Sequence, residues 1–462
     1  MPCKVETRER IQHLGAWIKG SGRRGESKFS LLCYVIRDIN RTKAFTGGKS
    51  SLFFKVKTTE EVLELVQGFQ PVGEESVPLD RAFGRVLSKE IVSPEDLPGF
   101  QRTSMDGYAI KAKDSFGAAE SLPALLEIVG EVGMGQVPAM AVAPGQAVKI
   151  STGGMVPRGA DSVVMVEYCH LMDQTTLEIS RAVSPQENVI QPDDDFKKGA
   201  VVLQKGRRLR SQDVGVLAGL GVTEVQAHRK PRVAIISTGD EVIPIQGKPK
   251  PGQVRDINTY TLRAFCEQQG AEPVTLGLCR DDFEQLRNMV VKSLETTDTV
   301  WISGGSSVGT RDLTLKVFES IENTELLVHG ISISPGKPTI IARRGATAIF
   351  GLPGHTASAM VVAEVFLTPF LARLGGETAF SEKPQNKVSA RLSRNIESAG
   401  GRDDFIRVRL IRKDGEWVAE PIFGKSGLIS TLVEADGLLR IDRNTEGLYQ
   451  GQAVEVMRFK EA

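Results

Sequence analysis

RVAIISTGDE at 232–241, VTLGLCRDD at 274–282, TVWISGGSSVG at 299–309 and AIFGLPGH at 348–355 repeat one pattern, an apolar run that ends in Gly, Ser, Asp or Glu. Runs of this length, rich in Val, Ile and Leu, read as strands buried on both faces of a parallel sheet. Amphipathic stretches separate them. Asn258 is placed to cap a helix carrying Leu262, Phe265 and Cys266 and ending at Gly270, and a second helix carries Phe283, Leu286, Met289, Val290 and Leu294. The order strand, helix, strand, helix, strand predicts a doubly wound, mostly parallel sheet. Right-handed crossovers then set the carboxyl ends of the strands along one edge, where ligands bind. One Gly or Asp cluster alone would read as a turn; four at successive strand ends read as one site.

The residue types at that edge limit its chemistry. Ser303, Gly304, Gly305, Ser306, Ser307 and Gly309 form a loop whose missing side chains expose backbone N–H groups and whose hydroxyls add donors, which suits phosphate or another oxyanion. Asp240, Glu241, Asp281, Asp282 and Asp312 lie on the same rim and would repel a bare anion. A divalent cation resolves the conflict, because Mg²⁺ takes one or two carboxylates together with substrate phosphates. Lys337, within Pro335-Gly336-Lys337-Pro338, adds a compact positive charge.

These runs carry a resemblance. STGDE at 237–241, DIN at 256–258, SGGSSVGTRD at 303–312, PGKP at 335–338 and GLPGH at 351–355 resemble the molybdopterin molybdenumtransferase family, which includes the bacterial MoeA proteins and the gephyrin E domain. Upstream, Thr103-Ser104-Met105-Asp106-Gly107-Tyr108-Ala109 is similar to the family's S-x-M-D-G-Y-A. Ser151-Thr152-Gly153-Gly154, Pro157, Gly159-Ala160-Asp161 and Glu167 are similar to its T-G-A…P-x-G-A-D-x-V-V…E. The match runs from about residue 58 to 460. It departs at Thr103, where the family has Ser, at Ser334, where many members have a second Lys, and at His355-Thr356, where Asn-Pro is commoner. The change at Ser334 removes a cation from the anion site and bears on molybdate against tungstate.

The resemblance implies an enzyme of molybdenum cofactor synthesis: with Mg²⁺ present, adenylylated molybdopterin receives molybdate at its dithiolene and AMP is released. By position in matching motifs it assigns catalytic roles to Asp106, Thr152, Glu241, Asp281 and Asp312, with Glu241 and Asp312 as metal ligands. Substrate contacts fall on the glycine loop, on Pro335, Gly336 and Lys337, and on Pro353, Gly354 and His355. Lys337, Ser358, Arg402 and Ser426 are candidates for holding molybdate, since a tetrahedral dianion needs charge and several donors. It further implies an elongated homodimer of four-domain subunits, with Asp106 and Thr152 supplied by an inserted β domain. Two other classes share the sheet: a nucleotide pyrophosphate hydrolase, which leaves MDGYA unexplained, and a gephyrin-like scaffold, for which no peptide groove is marked.

Composition fits a multidomain protein. The chain has 462 residues, 40% hydrophobic, and a formal charge of +1, which implies no general nucleic-acid surface. No apolar run approaches the roughly 18 residues of a membrane span, and no signal peptide opens the chain. The five Cys, at 3, 33, 169, 266 and 279, form no C-x-x-C, and the five His have no metal-ligand spacing. Together these give a cytoplasmic protein with free thiols. Residues 1–50 hold 11 Lys/Arg against 4 Asp/Glu; they read as a basic extension arising from a misplaced start, with a functional arm as the alternative.

The expected division follows composition shifts. Thr58-x-x-Glu61 makes a capping box for a helix bearing Val62, Leu63, Leu65 and Val66. Residues 58–100 plus 185–228 make a linker domain, with a returning helix from Ser211. Residues 101–184 form an inserted small β domain, 229–378 the doubly wound domain and 385–460 a C-terminal β barrel. In the barrel, Lys413-Asp414-Gly415-Glu416 signals a hairpin.

Overall fold

A computed structural model describes residues 56–304, 308–378 and 387–459, with the side chains of 308–312 excluded. The basic stretch 1–50, Gly305, Ser306, Ser307 and the Asp312 side chain therefore lie outside the described residues.

The chain enters through α1 (Thr59–Gln67), where both capping-box bonds form: the Glu61 N–H donates to Thr58 Oγ1 at 3.3 Å and the Thr58 N–H to Glu61 Oε2 at 2.8 Å. A six-stranded sheet follows, made of β1 (Gly107–Ile110), β2 (Ala124–Val132), β3 (Gln146–Ile150), β4 (Ser162–Met165), β5 (Cys169–Leu171) and β6 (Thr176–Ile179), in the order β4-β1-β3-β2-β6-β5. Two separate small cores, one around Ile110 and Leu177 and one around Val148 and Val163, flank it. α2 (Ser211–Gly219) then packs Leu217 into a core with Val77, Leu87 and Val225, beside the antiparallel pair Glu74–Pro78 and Glu224–His228.

The stretches that opened the reading form β7 (Arg232–Thr238), β8 (Glu272–Cys279), β9 (Thr299–Gly304) and β12 (Thr347–Leu352), interleaved with α3 (Asn258–Gln268), α4 (Phe283–Thr296), α5 (Val308–Ser320), β10 (Thr324–His329) and β11 (Ile340–Arg344). The sheet order is β8-β7-β9-β12-β11-β10; β8, β7, β9 and β12 are mutually parallel, and only β11 runs against its neighbours. Period-two alternation sends Val233 and Ile235 to one face and Ala234 and Ile236 to the other. The first face is covered by Leu262 and Phe265 of α3 and by Phe366 and Phe370; the second by Leu286 and Val290 of α4 and by Phe318 of α5. Each such fully buried side chain contributes about 1.5–3 kcal/mol relative to exposure.

Four sequence expectations are corrected. β8 is an edge strand and half-exposed, so it is not buried on both faces as its apolar run suggested. The cap of α3 is Asp256, whose Oδ1 accepts the Thr259 N–H at 3.1 Å; Asn258 is already helical. α1, grouped by sequence with α2, instead inserts Val62 and Val66 into the large sheet's core, and Phe69 meets Phe370 edge to face at 5.3 Å. Its apolar stripe found a larger partner surface there. Finally, the helical run Thr356–Leu374 is long and apolar enough to cross a membrane, with mean hydropathy 1.5, although 78% of it is buried inside the fold. This run comprises α6 (Thr356–Val362), a π turn at Ala363–Leu367 and α7 (Thr368–Leu374).

The carboxyl-terminal strands β13 (Lys387–Leu392), β14 (Asp403–Lys413), β15 (Glu416–Pro421), β16 (Gly437–Ile441) and β17 (Ala453–Arg458) close a barrel, because β14 pairs with both β15 and β16 while β13 bridges β15 and β17. Asp414 and Gly415, both at positive φ, turn the β14–β15 hairpin. Ile333–Ser334 pairs with Asp403–Asp404, tying the barrel to the loop before β11.

Candidate functional site

Ser237 and Thr238 end β7, and Ser303 and Gly304 end β9 beside them. The two backbones touch there: a Cβ on Gly304, whose φ is +153°, would stand 2.0 Å from the Thr238 carbonyl oxygen, so only glycine fits. Beneath these strand ends lies a buried polar cluster. Ser237 Oγ is 3.0 Å from Asp256 Oδ1, 2.9 Å from Thr259 Oγ1 and 3.2 Å from Ser303 Oγ. These four residues are all nearly inaccessible, so the hydroxyls are fixed in direction by the capping carboxylate of α3.

Above this floor a cavity of about 360 Å³ is lined by Thr238, Glu241, Arg255, Asp256, Asn258, Gly304, Gly354, His355, Thr356 and Gly427. Asn258 clamps its far wall, donating from Nδ2 to the Gly354 carbonyl at 2.8 Å and accepting the Thr356 hydroxyl at 2.7 Å. The carboxyl-terminal domain meets the cavity at Gly427. His355 Nδ1 is 2.7 Å from Ser426 Oγ, and the Ala357 N–H donates to the Ser426 carbonyl at 3.3 Å. A cleft of about 1160 Å³ elsewhere is larger, but it holds none of the motif residues, and its Arg207, Arg208 and Arg210 are paired with Asp213 and Glu377.

Several sequence candidates meet here. Asp281 Oδ1 accepts the Thr238 hydroxyl at 2.8 Å, and its N–H reaches Asp240 Oδ1 at 3.3 Å, so the ends of β7 and β8 share one rim. Asp282 is drawn away as the N-cap of α4, accepting the Gln285 N–H at 2.7 Å. Burial pushes the neighbouring Cys279 thiol up to about 11, so it stays protonated. Pro353 and Ser358 are buried at the start of the long helix. Gly336 packs so closely against Val362 that a Cβ there would come within 2.8 Å, and this seats the Pro335–Lys337 loop on the same helix as Ser358. Lys337 is exposed and pairs with no carboxylate among the described residues. Gly309 and Asp312 fall in the first turns of α5 by backbone alone.

Asp106 and Thr152 come together as well, but on the other sheet. Asp106 Oδ1 accepts both the backbone N–H and the hydroxyl of Thr152, at 2.6 and 2.9 Å, and these two bonds hold its carboxyl below the usual range. Gly107 is required beside it, since a Cβ would strike the Val164 carbonyl oxygen at 1.9 Å. No residue of this sheet lines the 360 Å³ cavity.

Family models match in order: the MoeA N-terminal region (domain I and II) over residues 57–221, the "Probable molybdopterin binding domain" over 234–373 and the MoeA C-terminal region (domain IV) over 389–459. The molybdopterin molybdenumtransferase of Haemophilus influenzae is 32% identical over 84% of this chain and 95% of its own length. That of Staphylococcus epidermidis strain RP62A is 30% identical over 87% and 95%. A crystal structure of the molybdopterin biosynthesis moeA protein from Pyrococcus horikoshii OT3 superposes with a TM-score of 0.77 at 32% identity, covering 88% of this chain and all of the other. The chain belongs to the MoeA family.

Within this MoeA chain the barrel holds a residue that motif reading passed over. Arg402, the expected anion contact, is half-exposed and neutralised by Asp404, with Nε 3.0 Å from Oδ1. Arg407 is buried to 7% exposure, donates from Nη2 to the Gly424 carbonyl at 3.0 Å, and leaves Nε and Nη1 without partners. Burial lowers its pKa, and it is the buried cation nearest in chain to the loop that carries Ser426. The signal was present in Phe405-Ile406-Arg407, a charge two residues from Phe405 on the face of the strand that packs toward the large sheet's core, while Ile406 and Val408 fill the barrel.

Proposed function

We propose that this chain is a molybdopterin molybdenumtransferase that takes adenylylated molybdopterin and molybdate and releases AMP and molybdenum cofactor. The observation that carries the reading is the cavity at the strand ends: Gly304 beside fixed hydroxyls, one exposed carboxylate at Glu241, and His355 and Gly427 in its wall, with His355 held by a serine of the barrel. Such a site offers donors to phosphate oxygens on one side and to a second oxyanion on the other.

The phosphate end rests on Ser303, Gly304 and the loop that follows. The oxyanion end takes Ser426 and Ser358, with Arg407 and Lys337 supplying charge; Arg402 contributes less because Asp404 already holds it. Among the described residues no group of three or more His, Cys, Asp or Glu gathers to hold a metal. Glu241 in the cavity wall and Asp281 on its rim are carboxylates that fit a hard cation taking one or two of them and completing its shell with phosphate and water. Glu241 and Asp312 would hold Mg²⁺, which would supply charge neutralisation between pyrophosphate oxygens. Asp281 then positions the strand end through Thr238, and Asp106 with Thr152 presents an ordered carboxylate to the reacting end of the substrate.

Because that pair sits on a sheet that does not line the cavity, the reading includes a homodimer in which one subunit's inserted sheet covers its partner's cavity. Tungstate is a competing oxyanion, and the reading places the protein in the cytoplasm. The test is AMP release from adenylylated molybdopterin with and without molybdate. Release that needs no molybdate would favour a pyrophosphate hydrolase; none at all in a folded, Mg²⁺-supplied protein would favour a binding role.

A further inference from the structure

His355 occupies a position that decides which way a hydroxyl points. Its backbone is clamped on both sides by Asn258, through the Gly354 carbonyl and the Thr356 hydroxyl, so the ring is presented from a rigid support. It lines the cavity, passes 4.0 Å from where a side chain on Gly427 would begin, and meets Ser426 Oγ at 2.7 Å. A serine so close to an imidazole nitrogen has two states. When Nδ1 is an unprotonated acceptor, the hydroxyl donates to it and offers only lone pairs to an incoming anion; when Nδ1 carries hydrogen, the serine accepts and its O–H is free for an anion.

We propose that His355 is a positioning residue that makes oxyanion binding at Ser426 take up a proton, so that molybdate binds more tightly as pH falls. This rests on the functional reading above and adds a residue of this chain's own, since the resemblance has Asn at this place. The charged groups sharing the cavity are Glu241, Arg255 and Asp256, with Lys425 beside Ser426 in sequence and Arg407 beneath its loop. The anion is the partner that changes on binding, and an imidazolium both donates from Nδ1 and adds a positive charge, so the protonated form is the one molybdate selects. By linkage anion binding takes up a proton at the imidazole, and affinity is lost as pH rises.

The experiment is calorimetric titration of the full chain with molybdate between about pH 5.5 and 8.5, in two buffers of different ionisation enthalpy to count protons. Wild type should bind about tenfold more weakly at the alkaline end and take up part of a proton on binding near neutrality. His355→Asn and His355→Gln, which keep an amide to meet Ser426, should bind with affinity nearly independent of pH and without proton uptake. An NMR titration of the wild-type imidazole guards against misfolded variants: molybdate should move its midpoint upward. A slope and proton count unchanged in either folded variant, or an imidazole midpoint that molybdate leaves in place, would overturn the proposal. Molybdate-dependent AMP release persisting in that case would leave the functional reading standing.

Discussion

Arg402 and Arg407 lie in one short motif and differ in what neutralises them. Arg402 has a carboxylate partner and water, so removing it should cost molybdate binding less than about 1 kcal/mol. Arg407 has neither, and its desolvated charge is uncompensated until an anion arrives. We expect Arg407→Met to weaken molybdate binding by about 1.5–3 kcal/mol, while leaving thermal stability equal or higher because an unpaired buried charge has been exchanged for apolar volume. Equilibrium dialysis with molybdate and a melting curve check both halves; the reverse ranking of the two arginines would return the anion contact to Arg402. Glu241 makes a different kind of prediction. Glu241→Gln keeps shape while deleting charge, so substrate should still bind and AMP release should fall at least about tenfold, or roughly 1.4 kcal/mol in the barrier. A chelator should reproduce that loss in wild type, and full Mg²⁺-dependent turnover by Glu241→Gln would move the metal away from this strand end.

At the scale of elements, what could be read from sequence was whatever depended on local pattern. The four apolar runs became parallel strands because period and length decide that alone, and the capping box at Thr58 formed because its bonds span three residues. What escaped depended on distant partners. Nothing local in TEEVLELVQ says that its stripe meets Phe370 rather than the helix at Ser211, and an edge strand has the same composition as a central one. The site divides likewise: glycine loop and rim carboxylates were visible as motifs, whereas Arg407 and the Ser426–His355 contact needed the barrel docked against the sheet. Asp213 shows a local feature with a wider effect. Burial alone would raise its carboxyl, but hydrogen bonds from the Arg210 and Arg207 guanidinium groups outweigh it and hold the group far below the ordinary range. A depressed pKa stabilises the fold above the unfolded value, and that contribution is lost as pH falls below about 4. Asp213→Asn should therefore destabilise the protein by about 1–3 kcal/mol near neutrality. The gap should narrow in acid, as paired denaturant curves at pH 7 and below 4 would test; a constant gap would mean the amide preserves the bonds that matter.

For the whole molecule the question is how two sheets with separate cores serve one reaction. The Asp106–Thr152 pair is ordered by its own hydrogen bonds, so it is a finished unit before it meets substrate. The cavity at the other sheet is lined from β7, β9, the long helix and the barrel, with no contribution from that pair. Both carry motifs of the same family, and the proposed two-fold dimer, in which the inserted sheet of each subunit would face the cavity of the other, makes a prediction that can be counted. Asp106→Asn and Glu241→Gln should each be nearly inactive alone, since each dimer then has two damaged sites. Mixed and allowed to exchange subunits, half of the dimers would be hybrids. In a hybrid one site combines the intact Asp106 of one chain with the intact Glu241 of the other, and the second site collects both defects. AMP release should then return to about a quarter of wild type, set by counting and not by any new contact. If mass spectrometry shows that hybrids form and no activity returns, each site draws both carboxylates from one chain, and the inserted sheet would have to swing onto its own cavity during turnover.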